Sequence, residues 1–163
     1  MSHALRASLP DEAATQAFAA ELARVLGGAG GVIYLQGELG AGKTSLVRGF
    51  LQALGYAGRV VSPTYTLIEP YELSGGQRAF HLDLYRVADP EELLLLGLRD
   101  IDTSNDLMLV EWPELGQGYL PEADIRLLIQ DAESGNGRKI HLEAGTSRGQ
   151  HQLGQLDEAQ ANI

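Results

Sequence analysis

The chain has 163 residues, 44% hydrophobic and 21% charged, which suits one compact domain with its own core and argues against a separate lid or substrate domain. It contains no cysteine, which excludes disulfides, thiolate metal sites and a cysteine nucleophile. Twelve Lys+Arg against 22 Asp+Glu give a net charge of −10, a sign that opposes non-specific attraction to nucleic-acid phosphates and makes any engagement of RNA indirect.

The first residues, Met1 to Arg6, lack the basic-then-apolar pattern of a secretory signal. No purely apolar run exceeds four residues, the length of Leu93 to Leu96, against the ~18–20 needed to cross a bilayer. The expectation is a cytoplasmic protein with no membrane association. Residues 11–26 read as a helix, with Asp11 as its cap and Ala14, Phe18, Leu22 and Leu26 on one apolar face. Glycines from Gly27 to Gly31 end it, and Val32 to Leu35 is a short β-prone run of the kind buried in parallel sheets. From Lys43 the apolar spacing turns helical again through Leu46, Val47, Phe50, Leu51 and Leu54, stopping at Gly55.

The stretch from Gly58 to Gly76, broken by Pro63 and Pro70, reads as a partly extended excursion. Phe80 to Tyr85 is a second strand, and Asp89-Pro90 starts a short helix that runs through Leu96 and stops at Gly97. Leu107 to Val110 is another buried-strand run that delivers Glu111 and Trp112 at its end. Ile125 to Gln130 and Lys139 to Glu143 flank the turn-rich Ser134-Gly135-Asn136-Gly137, predicting an antiparallel hairpin. From Gly145 onward the chain is polar with scattered apolar residues, and residues 146–163 are expected to form a frayed or disordered tail. The predicted fold is therefore α/β: residues 1–145 form a single domain with a mostly parallel central sheet flanked by helices and closed by the C-terminal hairpin.

Gly37-Glu38-Leu39-Gly40-Ala41-Gly42-Lys43-Thr44 matches G-x-x-x-x-G-K-[ST], the phosphate-binding P-loop, and lies between a predicted strand and a predicted helix as that motif requires. Glycines let the backbone curl so that several N–H groups meet one phosphate, and the helix adds its positive end. Lys43, one of only two lysines, is placed to meet the β- and γ-phosphates, and the Thr44 hydroxyl to ligate magnesium. With Ser45, these residues make the predicted cradle for ATP or ADP.

Such a site needs a carboxylate at the end of a neighbouring strand, to hold the metal or orient a water. Glu111 follows four apolar residues and so falls at the open edge of the sheet, and Asp83 sits in a strand that can reach the same crevice. Ser62-Pro63-Thr64-Tyr65 lies in the excursion after the P-loop helix, where γ-phosphate-sensing hydroxyls occur, and it also reads as an ordinary proline turn. Trp112 is compatible with the site, a partner surface or the core. Arg86 reads first as a surface or ion-pairing residue, and the four histidines, which show no ligand spacing, as surface or structural residues.

Together with the P-loop, Ser62-Pro63-Thr64-Tyr65-Thr66-Leu67, His81-Leu82-Asp83-Leu84-Tyr85-Arg86 and Val110-Glu111-Trp112-Pro113 closely resemble the TsaE family, the bacterial P-loop ATPases of tRNA threonylcarbamoyladenosine biosynthesis. The likeness runs from about Leu9 to Gly145, and no departure appears within the four motifs. It implies an ATPase, slow on its own, that supports turnover of the transferase TsaD and its companion TsaB as they modify the adenosine beside the anticodon. It also implies that Lys43 and Thr44 hold phosphate and magnesium, that Glu111 is the strand-end acid on the metal, that Asp83 is a second required acid, and that Thr15 lies near the adenine. Ser62, Thr64 and Trp112 match motif positions suited to switch or partner contacts. The competing readings are a small-molecule kinase, for which no arginine-rich lid is visible, a guanine-nucleotide switch, for which the Asn-Lys-x-Asp segment is missing, and a non-catalytic nucleotide-dependent scaffold.

Overall fold

The computed structural model describes residues 4–27, 29–38, 40–133 and 135–161. Seven strands form one sheet: β1 (Ala4–Leu9), β2 (Gly31–Gln36), β3 (Ile68–Glu72), β4 (Arg78–Asp83), β5 (Leu107–Glu111), β6 (Ile125–Asp131) and β7 (Arg138–Ala144). Their spatial order is β1-β7-β6-β2-β5-β4-β3. The central strands β6, β2, β5 and β4 run parallel to one another, and the pairs β3–β4, β6–β7 and β1–β7 are antiparallel. The mostly parallel sheet expected from sequence is thus its centre, and both margins turn it into a mixed sheet.

Continuous apolar runs form the centre because both faces are covered. Along β5, Leu107 and Leu109 enter one core with Ile33 and Leu35 of β2, and Met108 and Val110 enter the other with Val32. The first core is closed by α1 (Glu12–Leu26), α2 (Lys43–Ala53) and α3 (Ser147–Ala161), through Phe18, Leu22, Leu26, Leu46, Phe50 and Leu51 among others. The second lies under short 3-10 turns that contribute Leu93, Leu96 and Leu115. Asp11 caps α1 by accepting from the Ala14 N–H at 2.8 Å, as its position predicts. Asp89 and Glu92 form a reciprocal capping box, but the Pro90–Leu96 segment that follows is a 3-10 helix, ended by Gly97 at φ 69°.

Two elements escape the sequence reading. β1 is an edge strand whose Leu5 and Leu9 give only a weak alternation, and its pairing with β7 comes from the sheet rather than from local preference. β3 carries Pro70, which an edge position tolerates because one side of the strand needs no ladder partner.

The tail expectation is corrected: Ser147–Ala161 is helical, not frayed, and its Leu153 and Leu156 are fully buried in the main core. Its start is fixed by Arg148, which donates to the Asp124 carboxylate at 2.8 Å and to the Thr103 carbonyl at 2.9 Å. Asp124 also accepts from the Thr146 hydroxyl and from the Val32 N–H at 2.8 Å, which ties the helix start to β2. Two leucines three apart suffice for a helix once α1 and β7 offer a face to cover. Among the described residues no helix is long and apolar enough to cross a membrane.

Truncating Leu156 to Ala is expected to cost about 2–4 kcal/mol and to lower Tm by roughly 5–15 °C. Thermal or denaturant unfolding reads this directly, and an unchanged midpoint would return the tail to a frayed segment.

Candidate functional site

The parallel register sets where the chemistry can gather. Leu35 of β2 and Asp83 of β4 flank Glu111 of β5 as ladder partners, so all three strands end level at one edge, the carboxyl edge of the sheet. There the chain leaves β2, forms the glycine-rich loop and enters α2. Gly40 (φ 79°) and Gly42 (φ 102°) are left-handed, a conformation that side chains with a Cβ resist, and Gly42 begins α2 without a capping side chain. Leu39 lies outside the described residues.

Lys43 opens α2 and is only 5% exposed. Its ammonium donates to the Gly37 carbonyl at 2.6 Å and lies 3.8 Å from the centre of the Trp112 ring. Burial pushes the Lys43 pKa below its ordinary value, and the nearby carboxylates of Glu111 and Asp83 pull it back up.

The two acids are adjacent and nearly enclosed, Asp83 at 7% and Glu111 at 3% exposure. Asp83 accepts from the Tyr85 N–H at 3.0 Å, and its pKa is raised, first by burial and further by the Glu111 charge. Glu111 accepts from Nε2 of His81 at 2.6 Å, and His81 is fully buried with no partner on Nδ1 among the described residues. The sequence alone does not separate His81 from the other histidines. The available signal was its position two residues before Asp83 in a strand, which puts both on one face. Just after Glu111 the backbone turns sharply: Trp112 is left-handed at φ 57°, and its ring meets Tyr85 at 5.1 Å.

One cleft of about 450 Å³ gathers Gly40, Gly42, Lys43, Thr44, Ser45, Asp83, Glu111, Trp112 and the excursion residues Ser62 and Thr64, whose hydroxyls are 3.0 Å apart. Arg86 lines the same cleft and stacks on Tyr65 at 4.6 Å. Gly37, Glu38 and Ala41 face an adjoining cavity. Thr15 lies beside Gly42 and Ser45 on a third, smaller cavity of about 200 Å³ between α1 and the β6–β7 hairpin. The Ser45 hydroxyl donates to Glu12 of α1, and Gln16 donates to the Ser45 carbonyl at 3.2 Å. Among the described residues no group of three or more His, Asp or Glu side chains is set to hold a metal ion. Thr44 and Glu111 supply the kind of partial oxygen set that magnesium completes with water and phosphate oxygens.

The raised pKa of Asp83 has a stability consequence. The unfolded aspartate ionises near its ordinary value, whereas the folded one holds its proton to higher pH, so stability falls as pH rises through that interval and the penalty persists above it. Asp83→Asn keeps an oxygen for the Tyr85 N–H, so it is expected to raise the Tm of the nucleotide-free protein at pH 7, with the gain vanishing below about pH 3.9. Melting curves across pH check this, and equal Tm values at neutral pH would contradict it.

A family model described as threonylcarbamoyl adenosine biosynthesis protein TsaE matches residues 9–140. The tRNA threonylcarbamoyladenosine biosynthesis protein TsaE of Haemophilus influenzae is 50% identical over 120 residues, 74% of each chain. The protein of that name from Bacillus subtilis is 39% identical over 103 residues, 63% of each chain. The crystal structure of Bacillus subtilis YdiB superposes with a TM-score of 0.82 over 98% of both chains at 29% identity. With its four motifs inside the matched region and its fold shared across nearly the whole length, this chain belongs to the TsaE family.

Proposed function

We propose that this chain binds ATP with magnesium in the cleft at the carboxyl edge of the sheet and hydrolyses it slowly, and that this cycle supports turnover of the TsaD–TsaB transferase in tRNA threonylcarbamoyladenosine biosynthesis. The observation that carries the reading is the convergence of Lys43, Thr44, Asp83 and Glu111 on one cleft, from three different elements. The four residues are a cation, a hydroxyl and two acids, the set that binding a metal triphosphate and activating water requires.

In this reading the loop Gly37 to Thr44 and Ser45 hold the phosphates through backbone N–H groups and the first turn of α2. Lys43 exchanges the Gly37 carbonyl and the Trp112 ring for the β- and γ-phosphates. Magnesium, when bound, neutralises phosphate charge, and Thr44 and Glu111 are the residues that would hold it. Glu111 also accepts a hydrogen bond from the attacking water, and the neighbouring Asp83 supports the same end of the cleft. Thr15 contributes to the nucleoside side. Ser62 and Thr64, at the mouth of the cleft, sense the γ-phosphate, and with Trp112 they pass nucleotide state to the partner proteins. The net charge of −10 favours contact with tRNA through those partners rather than directly. The protein works in the cytoplasm, where the modified tRNA is used.

Lys43→Ala is expected to abolish binding of magnesium-ATP, read by the emission of Trp112, the sole tryptophan. Glu111→Ala is expected to keep ATP bound and to slow single-turnover hydrolysis by ~10²-fold or more. In multiple-turnover tRNA modification with TsaD and TsaB, omitting this chain is expected to stop the reaction after the first rounds. Full turnover without it would refute the pathway role, and full support by Glu111→Ala would leave a nucleotide-bound scaffold in place of an ATPase.

A further inference from the structure

The guanidinium of Arg138 makes contacts that neither the motifs nor the proposed chemistry uses. Arg138 is the first residue of β7, paired directly with Asp131 at the end of β6. Its Nε donates to the Ala41 carbonyl at 2.8 Å and one terminal nitrogen to the Gly40 carbonyl at 3.3 Å. The other terminal nitrogen donates to the Gly137 carbonyl at 3.2 Å and lies 2.9 Å from the Asp131 carboxylate. All three nitrogens are engaged, Nε and one terminal nitrogen on the glycine-rich loop and the other terminal nitrogen on the hairpin.

From this geometry, and on the reading of the loop as a nucleotide site, we infer that Arg138 is a positioning residue for nucleotide binding, a clamp that holds the phosphate loop in its binding shape. The guanidinium is planar with its donors in a rigid fork, so anchoring one side on Asp131 and Gly137 fixes the positions of the two carbonyls on the other. In a trans peptide the N–H of the next residue points opposite to the carbonyl. Holding the Ala41 carbonyl therefore aims the Gly42 N–H away from Arg138, and holding the Gly40 carbonyl sets the Ala41 N–H, which here turns back onto the Glu38 carbonyl at 3.1 Å.

The loop needs such a clamp because of its composition. Gly40 and Gly42 give it the left-handed turns it requires, and they also give it the largest backbone freedom to lose when an anion orders it. A contact that restricts the loop in advance lowers the entropic cost of binding. The clamp also couples the C-terminal hairpin to the site, so turn residues at Gly137 and Asp131 act on phosphate affinity without touching phosphate.

The experiment compares the full chain with Arg138→Gln and Arg138→Lys by calorimetry with magnesium-ATP, and by amide hydrogen exchange of the loop peptide in nucleotide-free protein. Arg138→Gln is expected to weaken ATP about tenfold and to raise loop exchange several-fold, with Arg138→Lys intermediate in both because one ammonium reaches one carbonyl well. Equal ATP affinity in wild type and Arg138→Gln would overturn the clamp. Weaker ATP with unchanged loop exchange would also overturn it, because Arg138 also lines the cavity beside Thr15 and would then be a direct contact to the nucleotide. If Arg138→Gln does not fold, the lysine variant decides by the same two readouts. Failure of the wild-type chain to bind ATP would remove the nucleotide reading itself, an outcome distinct from a failure of the clamp alone.

Discussion

Three parallel strands ending level with one another set two buried carboxylates beside a buried lysine at the floor of one cleft. Leu35, Glu111 and Asp83 are partners across the β2–β5–β4 ladder, so the loop after β2 must deliver Lys43 opposite two acids that the neighbouring strands present. Shifting β4 by one residue would send Asp83 to the other face of the sheet, and the cleft would lose one of its acids. Along β4 itself Phe80 and Leu82 face the second core while His81 and Asp83 face the cleft side, so the slip would carry that polar pair into an apolar core, and this is what opposes it.

That placement holds charges where water cannot screen them well. Burial pushes Asp83 toward its neutral form and Lys43 toward its own, and the mutual attraction of lysine and carboxylates opposes both shifts. These charges are partly met within the fold: the ammonium faces a carbonyl and an aromatic ring, and Glu111 faces a buried histidine. On the proposed reading, a triphosphate with magnesium would offer the ammonium a full anion and the acids a full cation. On the function proposed above, the same pre-set charges that lower the stability of the fold would favour its liganded form.

Much of this was legible in the sequence because it rests on local patterns. The apolar runs before Gly37 and Glu111, the Asp11 cap and the Gly-Lys-Thr spelling each announce their element within a few residues. The parts that were not legible depend on distant partners. β1 is a strand because β7 is there to pair with it, and α3 is ordered because Leu153, Leu156 and Arg148 find a prepared face and a buried Asp124. His81 looked ordinary because burial of a histidine against a carboxylate is a property of the packed sheet. Arg138 reaches a loop 97 positions away, a distance over which no spacing rule operates.

The most direct measurement is the structure of this chain with magnesium and a non-hydrolysable ATP analogue. Lys43 is expected to have left the Gly37 carbonyl and the Trp112 ring for the β- and γ-phosphates, with Glu111 and Thr44 facing the metal. A nucleotide bound elsewhere, with the Lys43 ammonium still on Gly37, would contradict the assignment of this cleft.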